Sequence, residues 1–414
     1  MSVKTGKTPI SILTYIAIMS VCFVINLPGI AVAPMEGKLI SLLHEPELEV
    51  QLLTTLPNFV IIPFVLLTGK LSLSHHKIEW VIGSLIVYLI SAICYLFINS
   101  LTGLIIISCL LGCANGILIP FAMGFVVNTF YGKYRTRHLG VKSATSNLGV
   151  VIGSFVVGIL IEGKDWHLPF VVYLAIIIPI IFSYWLKYVP GLMEKEPPPI
   201  PQNNETGKTK EKDIEMPRVW ALIGNNVGFS FIAMAVIIYL PQMIENMGWT
   251  PKLAGELAAV FFIFVLFAGF ILLPFVRLFR HFTFFAIGLF LLSGLSFITF
   301  VPERWSLYVG SALSGIAFGI FQPFVYDKTS YTVRNPSKNI VALSYVLTAL
   351  YLAIALEPFV ISGICRWFRV ADENYFVFRL SFFMAIAYSL LAFFLRNKFG
   401  FSVEKAYISE PEKE

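Results

Sequence analysis

Gly112-Cys113-Ala114-Asn115-Gly116-Ile117-Leu118-Ile119-Pro120-Phe121 and Gly315-Ile316-Ala317-Phe318-Gly319-Ile320-Phe321-Gln322-Pro323-Phe324 are two copies of one pattern, Gly-x-Ala-x-Gly-Ile-x-x-Pro-Phe. About half of the chain separates them, and each copy lies in the fourth long apolar run of its half. A match of six residues can arise by chance, but the shared place in the order of runs makes chance a poor explanation. The pattern therefore predicts a duplicated bundle of helices.

The composition places these helices in a membrane. Of the 414 residues, 57% are hydrophobic and 13% are charged, and the mean hydropathy is +0.81. Soluble chains carry about 25% charged residues, so a water-soluble domain cannot hide this much apolar surface. The apolar residues come in runs of about twenty, the length with which a helix crosses a hydrocarbon layer of roughly 30 Å. Backbone groups in lipid must bond within their own segment, so we expect these runs to be helical.

We predict twelve membrane-spanning helices, spans 1 to 12, in an all-α fold of two pseudo-symmetric six-helix bundles. They cover residues 11–33, 50–69, 79–98, 101–128, 139–161, 168–189, 218–241, 254–276, 282–301, 305–327, 339–363 and 375–396.

A polar connection separates the two predicted bundles, which are residues 1–189 and 218–396. Residues 190–217 combine prolines with mixed charge and cannot form a packed core, so we interpret them as a flexible cytoplasmic linker. Residues 397–414 form a polar tail that we expect to be disordered.

The distribution of basic residues predicts the orientation. With the N-terminus in the cytoplasm, 23 of the 30 Lys and Arg residues fall on the cytoplasmic side and 7 on the other. Cytoplasmic loops carry this excess because of the positive-inside rule. We therefore expect both termini in the cytoplasm and a bacterial cytoplasmic membrane as the location. The net charge of +6 reflects insertion and does not indicate binding to nucleic acid.

The sequence contains no recognisable motif for ATP hydrolysis or for catalysis. Gly6-Lys7-Thr8 and Gly207-Lys208-Thr209 resemble the end of a phosphate-binding loop, but Met1 and Gln202 stand where its first glycine is needed. Energy for any pumping must then come from an ion gradient. We expect no enzymatic activity, no cofactor and no metal, because Cys109 and Cys113 have no His or further Cys to complete a metal set.

Glu357 is the foremost candidate for proton coupling, because it lies inside span 11, just before Pro358. A carboxylate at that depth costs about 2 kcal/mol or more unless it is neutralised or paired. A group that binds and releases a proton with each conformational change would supply coupling. Two alternatives stay open: a permanent ion pair with Arg379 in span 12, and exposure at the outer boundary of the membrane.

Asp327 is the second charged candidate. It ends span 10 on the predicted cytoplasmic side, next to Lys328. We favour capping or gating at that boundary over a place in a proton relay.

Uncharged polar residues within the spans are candidates for a substrate cavity. They would orient a ligand by hydrogen bonds among apolar and aromatic walls. The alternative is hydrogen bonding between helices, which is worth about 0.6 kcal/mol on average. These residues are Asn26, Asn115, Asn225, Asn226, Gln322 and Tyr326.

Twelve spans in two similar halves with a long cytoplasmic linker resemble the major facilitator superfamily, over residues 11–396. Span 5 reads Gly149-Val-Val-Ile-Gly153-Ser154-Phe-Val-Val157-Gly158 and is similar to the antiporter motif Gly-x-x-x-Gly-Pro-x-x-Gly-Gly. Gly149, Gly153 and Gly158 match, whereas Ser154 replaces the proline. A generic packing motif would look much the same, with close helix contact at the glycines. The resemblance is greatest to the twelve-helix drug:proton antiporter branch.

Two other family motifs are degraded. The loop after span 2, Gly69-Lys70-Leu71-Ser72-Leu73-Ser74-His75-His76-Lys77, retains Gly69, Leu71 and a basic Lys77 but lacks the acid that the family uses in a cytoplasmic charge network. Ser108 stands where proton-coupled relatives have an arginine, four residues before Gly112. Coupling would then be carried elsewhere or be absent, and Glu357 is the best remaining carrier.

The resemblance implies alternating access, in which two bundles rock about a midplane site lined by spans 1, 4, 7 and 10. We predict a monomeric, proton-coupled exporter of small amphipathic molecules. The alternative is an importer or facilitator of a small metabolite on the same fold. A receptor or assembly subunit that transports nothing is a third possibility, but neither the linker nor the tail carries an amphipathic helix.

Overall fold

The computed structural model describes residues 2–29, 31–43, 47–161, 165–190, 213–301, 303–370 and 373–404, and its regular structure is almost entirely helical. The thirteen α-helices are α1 (Ile12–Val24), α2 (Val32–Leu43), α3 (Glu47–Leu71), α4 (Lys77–Cys94), α5 (Leu101–Thr129), α6 (Lys133–Leu160), α7 (Ile177–Phe182), α8 (Met216–Asn246), α9 (Pro251–Phe279), α10 (Thr283–Phe300), α11 (Arg304–Thr329), α12 (Asn339–Phe368) and α13 (Glu373–Phe394). Two short strands, β1 (Ser2–Val3) and β2 (Ile10–Ser11), pair antiparallel ahead of α1.

Nine helical stretches of the described residues are long and apolar enough to cross a membrane. One of them, Lys252–Phe300, contains both α9 and α10. Two shorter apolar helices, Ile12–Val24 and Thr55–Leu71, lie where spans 1 and 2 are predicted. The all-α membrane fold is therefore confirmed.

Span 1 departs from the prediction of one continuous helix. The helix α1 ends at Val24, and α2 begins at Val32. Pro28 cannot donate a backbone hydrogen bond, and Gly29 has a φ of +86°, which a right-handed helix does not allow. The Pro-Gly pair thus divides the predicted span.

Span 6 is helical but not a regular α-helix. Residues Leu168–Ile176 and Ser183–Tyr188 are 3₁₀-helical, and only the six residues of α7 between them are α-helical. Long 3₁₀ runs are uncommon because their hydrogen bonds are poorly aligned.

The duplicated pattern makes the same contact twice. In the first copy, a methyl group at Gly112 would lie 2.8 Å from the carbonyl oxygen of Pro57, so the backbones of α5 and α3 touch there. In the second copy, a methyl group at Gly315 would lie 2.4 Å from the carbonyl oxygen of Phe261, so α11 touches α9. The later glycine of each copy repeats the contact one turn on. The repeat therefore fixes how span 4 packs on span 2 and how span 10 packs on span 8.

The start of the predicted tail packs against the helices instead of being disordered. Val403 is buried, and the ring of Phe401 lies 5.9 Å from that of Phe284 and 6.0 Å from that of Tyr388. Residues 405–414 and most of the predicted linker, 191–212, lie outside the described residues.

The chain divides into two compact units, each made of separate stretches. The first comprises Met1–Arg135, Ile152–Val219 and Tyr326–Thr348. The second comprises Thr136–Val151, Trp220–Val325 and Ala349–Glu414. The first unit thus includes the start of α12, and the second includes part of α6. The division at residues 190–217 into two six-helix bundles stays a prediction.

Candidate functional site

Glu357 lies on the buried face of α12. Ala353, Glu357 and Ile361 follow at helical spacing and are all buried, whereas Phe359 on another face is 65% exposed. Glu357 itself is 0% exposed, and neither carboxylate oxygen has a hydrogen-bond partner among the described residues. Exposure at the membrane boundary is therefore excluded for this side chain. Buried polar groups are normally satisfied, which makes this carboxyl a functional candidate.

The structure does not pair Arg379 with Glu357. Arg379 is exposed near the start of α13, on the rim of an open concavity of about 420 Å³. Val370, Tyr375 and Phe376 line the rest of that concavity. The predicted ion pair fails because α13 presents Arg379 outward, whereas α12 buries Glu357.

Asp327 is held by an ion pair that the sequence analysis missed. The Arg135 guanidinium, at the start of α6, donates from Nε to Oδ1 of Asp327. Asp327 is fully buried, Arg135 is nearly so, and the guanidinium lies 4.5 Å from the centre of the Tyr331 ring. Arg135 precedes span 5 and Asp327 ends span 10, so the pair joins the two halves of the sequence. This geometry supports gating or capping at Asp327.

Three of the predicted cavity residues lie in buried surroundings of the second unit, and two of them meet. Gln322 Nε2 in α11 donates to Ser230 Oγ at 2.9 Å and to Asn226 Oδ1 at 3.3 Å, both in α8. The side-chain amide oxygen of Gln322, Oε1, is buried and has no hydrogen-bond partner among the described residues. The structure thus adds Ser230 to the predicted set and leaves an acceptor at Gln322 for a ligand.

Asn225 has a structural role instead. Its Nδ2 donates to the carbonyl oxygen of Gly400 at 2.8 Å, and its Oδ1 accepts from the Tyr388 hydroxyl at 2.9 Å. These bonds tie α8 to α13 and to the segment after it. Both ends of the Asn225 amide are thus engaged within the protein, as in the alternative of interhelical bonding.

The remaining cavity candidates are divided. Asn26 lies beyond the end of α1 and is exposed, because the helix stops at Val24. Asn115 is buried in α5, and its side-chain amide oxygen, Oδ1, has no hydrogen-bond partner within the described part of the chain. Tyr326 is buried in α11, next to Asp327. Asn115 and Gln322 are therefore the two candidates with an unsatisfied acceptor.

The antiporter-like glycines of α6 differ in their surroundings. Gly149 and Gly153 are buried, whereas Gly158 is exposed, and a methyl group there would meet no described atom within 4 Å. Gly158 therefore makes no close packing contact within the described part of the chain. The close approach of α6 lies earlier, at Gly140, where a methyl group would lie 2.1 Å from the carbonyl oxygen of Gly269 in α9.

Ser108 stands where the family resemblance predicts an arginine, and its contact there is with a neutral group. Its hydroxyl is hydrogen-bonded to the Tyr95 hydroxyl, and both residues are buried. The Tyr95 ring stacks on Phe170, with 4.7 Å between the ring centres. A tyrosine–serine pair therefore stands at the position where the family resemblance predicts an arginine.

Further close contacts join the sequence halves near their predicted cytoplasmic ends. A methyl group at Gly124 in α5 would lie 2.4 Å from the Ile340 side chain in α12. Asn339 Nδ2 donates to Asn128 Oδ1 at 2.9 Å. Like the Arg135–Asp327 pair, these contacts lie within the first unit. The contact between Gly140 and Gly269 makes the same connection within the second.

The N-terminal hairpin contacts the loop that precedes Arg135. The carbonyl oxygen of Thr5 accepts from the Tyr131 backbone N–H at 2.9 Å, and the Lys7 ammonium lies 4.0 Å from the centre of the Tyr131 ring. Gly132 follows with a φ of +54°, which turns the chain into α6. The hairpin thus contacts the α5–α6 loop four residues ahead of Arg135.

The last residues of the linker contact the loop after Asp327 in a similar way. Ile214 forms a β-bridge with Val333, and the Lys338 ammonium lies 2.5 Å from an Asp213 carboxylate oxygen. The Glu215 backbone N–H donates to the carbonyl oxygen of Thr332 at 2.9 Å. Each partner of the Arg135–Asp327 pair therefore lies next to a loop that another segment contacts. The N-terminal hairpin contacts the loop before Arg135, and the end of the linker contacts the loop after Asp327.

Comparison with known proteins identifies the family. The sequence profile of the Major Facilitator Superfamily matches residues 10–358, which is most of the chain. The multidrug transporter protein MdtP of Bacillus subtilis (strain 168) is 36% identical over 118 residues, which are 28% of this chain and 22% of that protein. The match thus spans less than a quarter of the length of that relative.

Solved structures share the fold at low identity. The proton:xylose symporter XylE, bound to 6-bromo-6-deoxy-D-glucose, aligns with a TM-score of 0.68 and 13% identity, over 93% of this chain and 95% of that one. The human organic anion transporter MFSD10 (TETRAN) aligns with a TM-score of 0.66 and 12% identity, over 90% of this chain and 98% of that one.

Proposed function

Because the chain belongs to the Major Facilitator Superfamily, we propose that it exports small amphipathic molecules in exchange for protons, by alternating access. It is an integral, multi-pass membrane protein that transports small molecules and is not an enzyme. The partial similarity to a multidrug transporter supports efflux, and so does the resemblance of α6 to the antiporter motif. The two termini are proposed to lie in the cytoplasm of a bacterial cell, as the distribution of basic residues indicates.

The buried carboxyl of Glu357 carries the proposal. It lies inside a membrane-crossing helix without a hydrogen-bond donor among the described residues. A proton can neutralise it when it is enclosed, and a substrate or water can exchange with that proton when the site opens. Pro358 removes one backbone hydrogen bond of α12 at this level, which makes the helix easier to deform locally.

Alternating access also requires that the cytoplasmic side of the substrate pathway can close and open. We assign this role to the contacts near the predicted cytoplasmic ends: the Arg135–Asp327 pair, the Asn128–Asn339 hydrogen bond and the Gly140–Gly269 approach. All three join the halves of the sequence, so all three would break when the cytoplasmic side opens. In this interpretation Asp327 is a gate residue, and Glu357 is the coupling residue.

The test is efflux from proteoliposomes under an imposed pH gradient, with cationic dyes as substrates. We expect Glu357→Gln to abolish gradient-driven transport but to retain dye binding. The matched control is Glu256→Gln, since Glu256 is exposed and accepts a hydrogen bond from the Tyr308 hydroxyl at the protein surface. Gradient-driven transport by Glu357→Gln at the rate of the control would refute the coupling role. The absence of any dye transport by the unmodified protein would refute efflux of such molecules.

A polar cluster favours a second candidate, an importer or facilitator of a small metabolite. Gln322, Asn226 and Ser230 form a buried hydrogen-bonded group with one acceptor to spare. Hydroxylated ligands are recognised by such groups, whereas lipophilic drugs leave them unpaired. Uptake of a polar solute that continues after the pH gradient is collapsed would favour this alternative.

A further inference from the structure

Two helices end in the same four-residue pattern, Arg, apolar residue, Phe, Arg. Residues Arg277-Leu278-Phe279-Arg280 close α9, and Arg366-Trp367-Phe368-Arg369 close α12. Arg280 and Arg369 have φ values of +46° and +51°, and no other non-glycine residue of the described ranges has a positive φ. Neither the family resemblance nor the proposed transport function accounts for this repetition.

The backbone at these ends takes a conformation that normally requires glycine. At the end of α12, the Val370 N–H donates to the carbonyl oxygen of Cys365 at 2.9 Å, and the Arg369 N–H donates to that of Arg366 at 3.3 Å. Helices often finish with such bonds, but the residue in the left-handed conformation is usually glycine. An arginine there is strained, and strain of this kind indicates a function for the side chain.

The side chains of the pattern are turned away from the protein. Trp367 is 84% exposed, Phe368 is 68% exposed, and Leu278 in the other copy is 76% exposed. The Arg366 and Arg369 side chains make no ion pair and no hydrogen bond with the described residues. Exposed aromatic rings at the end of a membrane helix are typical of the level of the lipid headgroups.

The end of α12 also has a concavity and a third cation. The open concavity of about 420 Å³ is lined by Val370, Tyr375, Phe376 and Arg379. Arg379 likewise makes no ion pair with the described residues. Asp372 and Glu373 follow Arg369 in the sequence, with side chains outside the described part, so the stretch 366–379 keeps a formal charge excess of one arginine.

We propose that the end of α12 binds the headgroup of an anionic phospholipid. The guanidinium groups of Arg366, Arg369 and Arg379 surround its phosphate, because planar guanidinium groups match phosphate geometry. Trp367 and Phe368 lie beside the upper part of its acyl chains. The end of α9 is the matching site in the opposite leaflet, since three membrane-crossing helices separate the two patterns.

A lipid fits this surface better than a free phosphate ion or a peptide. Exposed tryptophan and phenylalanine next to the cations supply an apolar contact that an inorganic ion cannot use. Both patterns lie at ends of membrane-crossing helices, where headgroups are always present.

The experiment measures lipid retention by native mass spectrometry of the full chain in neutral detergent. Phosphatidylglycerol, phosphatidylcholine and inorganic phosphate are added separately. We expect phosphatidylglycerol to be retained in preference to phosphatidylcholine, and an excess of inorganic phosphate not to displace it. Each lost arginine should weaken retention about fivefold. The variants are Arg366→Gln, Arg369→Gly and Arg379→Gln.

Arg369→Gly separates lipid binding from folding. Glycine relieves the strained backbone, so this variant should unfold at an equal or higher temperature without added lipid while losing phosphatidylglycerol affinity. Arg304→Gln is the control, because Arg304 lies on the same predicted side of the membrane and its guanidinium faces the Trp249 ring at 5.8 Å. Equal retention of the two lipids, displacement by inorganic phosphate, or equal retention by Arg369→Gly and the control would each overturn the proposal.

Discussion

Gly140→Ala should selectively disfavour the conformation seen here. A methyl group at Gly140 would lie 2.1 Å from the carbonyl oxygen of Gly269, whereas ordinary contacts begin at 3.4 Å. The obstacle is backbone on both sides, since a methyl group at Gly269 would lie 2.4 Å from the carbonyl oxygen of Gly140. The helices α6 and α9 must therefore move apart by more than 1 Å. Overpacking of this kind costs about 1–3 kcal/mol, which shifts a two-state equilibrium by about 5- to 150-fold.

The assay is the rate at which a maleimide labels Ser344→Cys, in a background with the five native cysteines replaced. Ser344 is 1% exposed and lies against Gly69, in another of the contacts that join the halves. Labelling should follow the fraction of time that this end is open. We expect Gly140→Ala to raise the rate by about 5- to 150-fold.

The controls are Gly158→Ala in α6 and Gly255→Ala in α9, where a methyl group meets no described atom within 4 Å. Alanine favours a helix over glycine by about 1 kcal/mol, and this gain is common to all three variants. The difference between them therefore reports the steric term. If Gly140→Ala and Gly158→Ala are labelled at the same rate, the contact does not control opening and the reasoning is refuted.

Three further outcomes follow from the buried polar contacts. Arg135→Gln removes the guanidinium from the buried Asp327 carboxylate, and breaking a buried ion pair by removing one partner costs about 3–5 kcal/mol. This variant should therefore speed the same labelling and slow transport, and exchanging the two residues should restore part of both. Tyr388→Phe removes the donor to Asn225 and should lower the free energy of unfolding by about 0.6–1.7 kcal/mol, seen as a lower thermal midpoint with transport per folded molecule unchanged. Gln322→Leu should weaken substrate binding about 2- to 13-fold in equilibrium binding, through one lost hydrogen bond, and an unchanged affinity would remove Gln322 from the cavity.

The duplicated pattern predicts packing well because its glycines act locally. A glycine in an apolar helix allows a neighbouring backbone to approach, and the pattern places two of them one turn apart. The structure uses both copies for this purpose, at Pro57 and at Phe261. The short connections within a bundle indicate which helix each one packs against. The packing of span 4 on span 2 and of span 10 on span 8 can therefore be predicted from the sequence.

Contacts between distant residues were harder to predict. Nothing near Asp327 in the sequence identifies Arg135 as its partner, and an ion pair between Glu357 and Arg379 rests only on their similar distance from the ends of spans 11 and 12. Depth along two helices says nothing about rotation about their axes, and that rotation buries Glu357 and exposes Arg379. The sequence does not identify the partner of Asn225 for a related reason, since Gly400 lies in a segment whose composition predicts a polar tail.

The contacts that we assign to the cytoplasmic gate suit reversible closure because little of their surface is charged. The loop after span 2 lacks the family's acid, but its Gly69 packs directly on Ser344. Glycine contacts gain dispersion energy over a small area, and separating them leaves no buried charge behind. The Arg135–Asp327 pair is different, since desolvation offsets most of the attraction between two buried charges. The Arg135–Asp327 pair therefore contributes more to the alignment of the helices in the closed gate than to its stability. A gate with such contacts would close in one arrangement without becoming too stable to open.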